Sequence, residues 1–508
     1  MDGLSLLMNG LAFVAQPESL FNVVWATLLG IVIGTLPGLT ATMGVALMVT
    51  LTYKMGADQA ILVLLCMYVG AIYGGSRTAI LLNIPGTPAS AATALDGYPL
   101  AMQGRAGYAM GLATTGSAIG TVVGIFCLAL IAPLLAEVAF HFGSYEFFWL
   151  ALFGIVISGS LTSPGDPLKG YIAGVLGLLV AMIGADPLHG FYRFTFDVDP
   201  LAGGIGLIPA MVGAFGFAEI LTVMKHRRKA IVATAVDRVL PRLRDIWANK
   251  VNFVRSGVIG TFVGVIPGVG EDIGAWGAYA AARRYSRERE RYGSGSTEGL
   301  TAAETGNSAV VPGALIPALT LAIPGSAPAA VLLAALFIHG VRPGPMIMLE
   351  SPQFVYQVVA ILLVATIVMA ILGLSLTRLF ILVLRIPRER LMPLVYVLCV
   401  IGPFAITQRL FDVWVMVVFG VVGFALREMK YPMAPIVLGL ILGPLLDKSL
   451  RRGLLLTDGD PSPFFTRPVS AGIAALTALT VILSIPVVQG HASKLFRRRA
   501  GGPAGSDA

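Results

Sequence analysis

Apolar runs of about 15–30 residues, parted by short polar intervals, occupy most of the chain. They fall at about 19–36, 39–53, 58–75, 107–136, 145–163, 168–185 and 203–224. After a basic interval they resume at about 251–267, 269–282, 301–323, 354–384, 391–407, 410–426, 432–446 and 468–489. Runs of this length suit helices spanning ~30 Å of hydrocarbon, not the ~10-residue alternating strands of a barrel. The pattern predicts an all-α polytopic membrane protein. Two further stretches, near 76–100 and 324–345, are broken by Pro and Gly and rich in Ser, Thr and Ala.

Composition agrees. Of 508 residues, 56% are hydrophobic and 12% charged, with a mean hydropathy of +0.84. Soluble proteins carry about 25% charged residues. A soluble fold and a disordered chain are both excluded. The net charge of +8 is no nucleic-acid signature, because the basic residues sit in short loops beside apolar segments. Cys66, Cys127 and Cys399 lie in apolar stretches without metal-ligand spacing and read as packing residues. The start, MDGLSLLMNG, lacks the basic region of a secretory signal.

Charge placement adds topology. Residues 225–255 hold Lys225, Arg227, Arg228, Lys229, Arg238, Arg242, Arg244, Lys250 and Arg255. The next polar interval opens with Arg283, Arg284, Arg287, Arg289 and Arg291. Both are expected to be cytoplasmic, with an interfacial helix over 236–248. The apolar residues between them allow only two arms of roughly 15, and about 20 are needed to cross. The middle reads Gly264-Val-Ile-Pro267-Gly268-Val-Gly270, so 251–282 is expected to be a re-entrant hairpin turning inside the membrane. The segment 432–446 has basic residues on both flanks. It is expected to cross, which makes the tail Lys494, Arg497, Arg498 and Arg499 cytoplasmic.

The chain also repeats itself. GIVIGTLPGLTATMG at 30–44 matches GTFVGVIPGVGEDIG at 260–274, aligning Gly30, Gly34, Pro37, Gly38 and Gly44 with Gly260, Gly264, Pro267, Gly268 and Gly274. Downstream, Ile84-Pro85-Gly86-Thr87 matches Ile323-Pro324-Gly325-Ser326, and Gly74 matches Gly313. Two ordered matches point to duplication. Equivalent loops carry opposite charge bias, as in an inverted repeat. The expected parts are a first repeat (1–225), a basic cytoplasmic linker (226–250), a second repeat (251–450), and a C-terminal helix and tail (451–508).

Broken helices persist in a bilayer only where protein or a hydrated cavity satisfies their backbone. Their N-termini favour carboxylates, while free carbonyls and hydroxyls favour cations. The expected substrate-contacting residues are Pro37, Gly38, Thr40, Asn83, Pro85, Gly86, Thr87, Ser90, Pro267, Gly268, Pro324, Gly325 and Ser326. Thr42, Glu271, Asp272, Asn307 and Ser308 are the candidates for ion coupling, with Glu304 a weaker one. Arg77 either pairs with a substrate carboxylate or snorkels to the interface. GVGED resembles the loop of intramembrane aspartyl proteases, but Glu271 stands where the Asp belongs. No HExxH, nucleophile elbow or Walker loop is present.

Four stretches carry a wider resemblance. They are GTLPGLTATMGVALMVTLTY (34–53), YGGSRTAILLNIPGTPASAATALDGYPLAMQGRAG (73–107), GVIPGVGEDIGAWGAYAAARRYS (264–286) and GNSAVVPGALIPALTLAIPGSAPAAVLLAALFIHGVRPGPMI (306–347). At these the chain resembles the large membrane subunit of the tripartite tricarboxylate transporter family. The resemblance implies a bacterial inner-membrane importer, not an enzyme. It would work with a small membrane subunit and a periplasmic solute-binding protein, be driven by H⁺ or Na⁺, and need no cofactor. Citrate-like carboxylates would be the substrates. The expected mechanism is alternating access, with a core of broken hairpins moving against a scaffold of long spans such as 107–136 and 354–384. A passive anion channel and an intramembrane enzyme are the competing classes. Ala322 stands where the first repeat has Asn83.

Overall fold

The computed structural model describes residues 3–36, 39–163, 166–186, 189–225, 238–377, 379–380, 390 and 392–485. The chain is an all-α polytopic membrane protein, and eight of its described helices are long and apolar enough to cross a bilayer. The only sheet among the described residues is a two-residue pairing of Gly184–Ala185 with Tyr192–Arg193.

The first half opens with α1 (Gly3–Val14), then α2 (Pro17–Thr35) and α3 (Ala41–Thr52). Pro17 starts α2 where its missing N–H costs nothing. Thr40 caps α3 by accepting from Met43 N at 3.2 Å. Next come α4 (Ala57–Leu82) and α5 (Ser90–Leu100), which are one broken helix, and α6 (Ala106–Ala139). Left-handed Gly104 (φ 78°) marks the kink between α5 and α6. The half continues with α7 (Ser144–Thr162), α8 (Pro167–Ala181) and α9 (Leu207–Lys225).

The second half repeats the order. Its hairpin is α10 (Lys250–Val265) and α11 (Gly270–Tyr285). Its broken helix is α12 (Thr297–Leu321) and α13 (Ala327–Ile338), followed by α14 (Pro352–Ser375). Then come α15 (Met392–Thr407), α16 (Leu410–Glu428), α17 (Met433–Leu455) and α18 (Pro468–Ser484). Of the expected interfacial stretch, Leu243–Ala248 is helical, with Leu243 and Trp247 exposed.

The two halves match bond for bond at their breaks. Asn83 and Ala322 both end a helix in the left-handed region, at φ 53° and 56°. Ile84 N donates to Thr78 O (3.4 Å) as Ile323 N does to Pro317 O (3.2 Å). Gly86 N donates to Gly75 O (3.3 Å) as Gly325 N does to Ala314 O (3.4 Å). Each break also needs its glycine. A Cβ on Gly86 would lie 2.6 Å from Gly34 O, and one on Gly325 would collide with Gly264 O.

The hairpins enter from opposite ends. At the base of α2–α3, Gln59 of α4 bonds Ser19 (2.9 Å) and Asn22 (3.0 Å). The base of α10–α11, marked by Arg255 over the Tyr285 ring, lies beside Glu298 at the start of α12. That end also holds the 286–296 loop, which is bonded to Asp96 near the end of α5. The path α4–α5 therefore runs from one hairpin base to the other.

The segment α17 connects the two ends of the molecule. Its start lies near Lys169, which bonds Met429 O, and its far end meets the 184–193 loop, where Arg193 and Arg451 pair with Asp447. Of the basic residues after the segment, Arg451 is paired, with Asp186 as well as Asp447.

The long helices expected as the scaffold pack directly on the broken helices. The long helix α6 lies backbone to backbone on α12, where Gly120 faces Thr305 O and Gly124 faces Pro312. Gly373 of α14 packs on Tyr73 of α4. Small residues at these crossings let the helices interlock. Separate groups form outside them, α7 with α8, α17 and α18, and α9 with α15 and α16.

Candidate functional site

The two breaks and the second hairpin tip meet in one buried polar region. At the tip, Gly268 (φ 71°) and Gly270 (φ 74°) take conformations that favour glycine. Their N–H groups bond Pro324 O (3.2 Å) and Gly325 O (3.1 Å), so tip and break are one backbone unit. Ser326 caps α13, accepting from Ala329 N at 3.3 Å. Its Oγ also lies 2.7 Å from the Tyr68 hydroxyl of α4, and that hydroxyl donates to the Glu271 carboxylate. Asp272 reaches the other half, lying against the backbone N–H of Ala89.

On α12, Glu304 is fully buried. Its Oε2 accepts from Ser76 (2.7 Å) and Ser117 (2.9 Å), and its Oε1 accepts from Thr93. Those hydroxyls come from α4, α6 and α5. Glu146, Asp186, Glu219 and Asp412, also buried, each pair with an arginine. Glu271 and Glu304 have no ion-pair partner among the described residues.

Near Glu304 several polar groups are unfilled. Asn307 is 0% exposed, and both of its amide atoms lack a hydrogen-bond partner. Ser308 Oγ, Thr305 Oγ1 and Thr87 Oγ1 are buried and unpartnered too. Asn307 and Ser308 lie three and four residues from Glu304, on the same face of α12. Thr87 packs on Gly75, next to Ser76. Most buried polar groups are satisfied in folded proteins, and exceptions cluster where a ligand, ion or water belongs.

Of the expected residues, Pro267, Gly268, Pro324, Gly325, Ser326, Glu271, Asp272, Asn307, Ser308, Gly86, Thr87 and Ser90 gather at or beside this region. Ser90 closes the first break, accepting from Thr87 N and donating to Thr87 O. Pro85 is half-buried in that break. Asn83 is an exposed left-handed cap, and Thr40 is an N-cap. Thr42 is buried on α3 without a hydrogen bond to the region. Pro37 and Gly38 lie outside the described residues. The snorkelling reading of Arg77 is corrected. It is 2% exposed, bonds Tyr73 and Gly373 O (2.7 Å), and stacks on Phe380, tying α4 to α14. The sequence reading missed Tyr68, Ser76, Thr93, Ser117 and Asp96. Each is a polar residue set inside an apolar helix, which is their one visible signal.

Asp96 is bound differently. Its Oδ1 accepts from the N–H groups of Gly293 (2.8 Å), Gly295 (3.0 Å) and Ser296 (2.8 Å), and its Oδ2 from Tyr279 (2.9 Å). Beside it, at the basic end, opens a cleft of about 610 Å³ whose lining includes Trp276, Arg283, Arg284 and Arg289.

Comparison with known proteins gives the same direction. Residues 20–438 match the model of the tripartite tricarboxylate transporter TctA family. An uncharacterized 52.8 kDa protein in the TAR-I ttuC' 3'region of Agrobacterium vitis is 35% identical over 507 residues, covering 98% of this chain and 99% of its own. An uncharacterized protein in the TAR-II ttuC' 3'region of the same organism is 31% identical over 238 residues, covering 47% of this chain and 98% of its own. No solved structure matches.

Proposed function

The chain belongs to the tripartite tricarboxylate transporter TctA family, and from that premise we propose that it imports citrate-like carboxylates across the bacterial inner membrane by alternating access. It is a tricarboxylate transporter component with several membrane-crossing helices. In this reading a periplasmic binding protein delivers the anion, a small membrane subunit completes the assembly, and a proton or sodium gradient drives uptake. The C-terminus is cytoplasmic.

One observation carries the reading. The two broken helices and the second hairpin tip hold unpartnered, buried polar atoms at Thr87, Asn307 and Ser308, and the first hairpin, entering from the opposite end, packs on the first break where Gly34 meets Gly86. Oppositely entering hairpins around one polar region are the architecture of secondary carriers. The anion sits against the starts of α5 and α13, where the helix dipole favours negative charge. Glycine and proline shape the breaks, and hydroxyl and amide groups select the ligand. The interlocked helices α2–α6 and α10–α14 move as a body against the outer groups. Tip contacts such as Pro267 on Gly154 and Gly268 on Ser158 form part of the sliding surface. The arginine-lined cleft is the path by which the anion leaves.

The test is uptake of labelled citrate and other di- and tricarboxylates into proteoliposomes. Proton and sodium gradients are applied separately, with and without the binding protein. Saturable, gradient-dependent accumulation is expected. A non-saturating current would make the chain a channel, and turnover of lipid or peptide would make it an enzyme.

A further inference from the structure

We propose that Glu304 is the proton-carrying group of this protein, taking up and releasing one proton per transport cycle. This rests on the carrier reading above and names the coupling residue within it.

The geometry of its cage is the first argument. The three groups that hold Glu304 are hydroxyls, and a hydroxyl either donates or accepts. With the carboxylate ionised, Ser76, Thr93 and Ser117 all donate to it. When a proton adds, one hydroxyl turns to accept the new O–H and donates instead to the carbonyl one turn back on its own helix. The same heavy-atom positions therefore serve both charge states. Asp96 is the contrast. Three of its four donors are backbone N–H groups, which can only donate, so that cage suits one charge state.

The second argument is what lies alongside. Asn307, Ser308 and Thr305, within four residues on α12, leave buried polar atoms unpartnered. They are polar groups with hydrogen-bonding capacity left over, able to hold water beside Glu304. The step balances simply. A hydronium ion gives its proton to a Glu304 oxygen and becomes water, and the O–H bond breaks again on release to water.

Among the described residues Arg77 is the cation whose charge reaches Glu304, and it makes no ion pair with it. Arg77 of α4 is committed to Tyr73 and Gly373 O. Asp96 of α5 and Tyr279 of α11 are bonded to each other. Arg255 of α10 lies 3.9 Å from Glu298 at the start of α12. Residues 110–124 of α6 contain no ionisable group.

Infrared difference spectroscopy of the purified chain in lipid vesicles tests this without any substrate. A protonated-carboxyl C=O band should titrate with pH in the wild type and be missing in Glu304→Gln. A band that stays constant with pH, or that responds to Na⁺ at fixed pH instead, overturns the proposal. Ser117→Ala and Thr93→Val, each keeping Glu304, should displace the midpoint of that band; an unmoved midpoint in both counts against the cage. Where uptake is established, Glu304→Gln should lower substrate-driven proton influx at least tenfold and Glu304→Asp should restore part of it. Wild-type influx in Glu304→Gln overturns the proposal while leaving the carrier reading intact.

Discussion

Tyr68 and Glu271 are 203 residues apart in the chain, yet the Tyr68 hydroxyl donates to the Glu271 carboxylate in the buried interior. One belongs to a first-half helix and the other to the second hairpin tip, so this bond ties the halves together at the polar region. A hydrogen bond to a charged group contributes about 1.5–3 kcal/mol. Tyr68→Phe should therefore lower carboxylate uptake by roughly tenfold or more at unchanged membrane content. Uptake in proteoliposomes, normalised to protein, checks it; wild-type rates would reduce the bond to packing.

Thr87 and Ser326 are equivalent in the repeat but differ in bonding. Ser326 caps α13, so Ser326→Ala should cost about 1 kcal/mol of stability as well as uptake. Thr87 Oγ1 is buried with no partner, so Thr87→Val removes no hydrogen bond and should not lower stability. Its uptake should still fall. Thermal unfolding and uptake measured on both variants separate the two roles. Equal effects on both proteins would contradict the assignment.

Ala322 occupies a left-handed backbone position at φ 56°, where a Cβ costs roughly 1–2 kcal/mol. Asparagine, found at the matching Asn83, tolerates that region better. Ala322→Asn should raise the unfolding midpoint by an amount corresponding to about 1 kcal/mol. A lower midpoint would show that the site rejects the larger side chain.

Much of the fold is legible from the chain because lipid imposes one rule, that apolar length makes a span. The hairpins are legible because Pro267-Gly268 interrupts arms too short to cross, and the repeat because glycine contacts such as Gly86 on Gly34 demand the same residues twice. The buried bonding is not legible. Nothing local distinguishes Glu304, held by three helices, from an acidic residue facing water. The role of Asn83 misleads for the opposite reason, since a backbone requirement selects the same residue type that a binding site would. Arg77 misleads because its partners, Gly373 O and Phe380, lie about 300 residues away in sequence, on or just after α14.

Asp96 anchors the basic end by joining α5 to the 293–296 backbone. Asp96→Ala leaves three N–H groups without that acceptor, each worth about 1–3 kcal/mol if it stays buried. Faster proteolysis in the 286–296 loop is expected, with a lower unfolding midpoint. Asp96→Asn, which keeps one accepting oxygen, should fall between. Wild-type protection in Asp96→Ala would remove its anchoring role.

The inverted pair of hairpins is tested most directly by single cysteines at positions 20 and 250. Both sites are exposed and lie at the two hairpin bases. Vesicles of known orientation are treated with a membrane-impermeant thiol reagent. The account requires position 20 to label from the periplasmic side and position 250 from the cytoplasmic side. Labelling of both from one side would contradict the opposed hairpins and, with them, the transport reading.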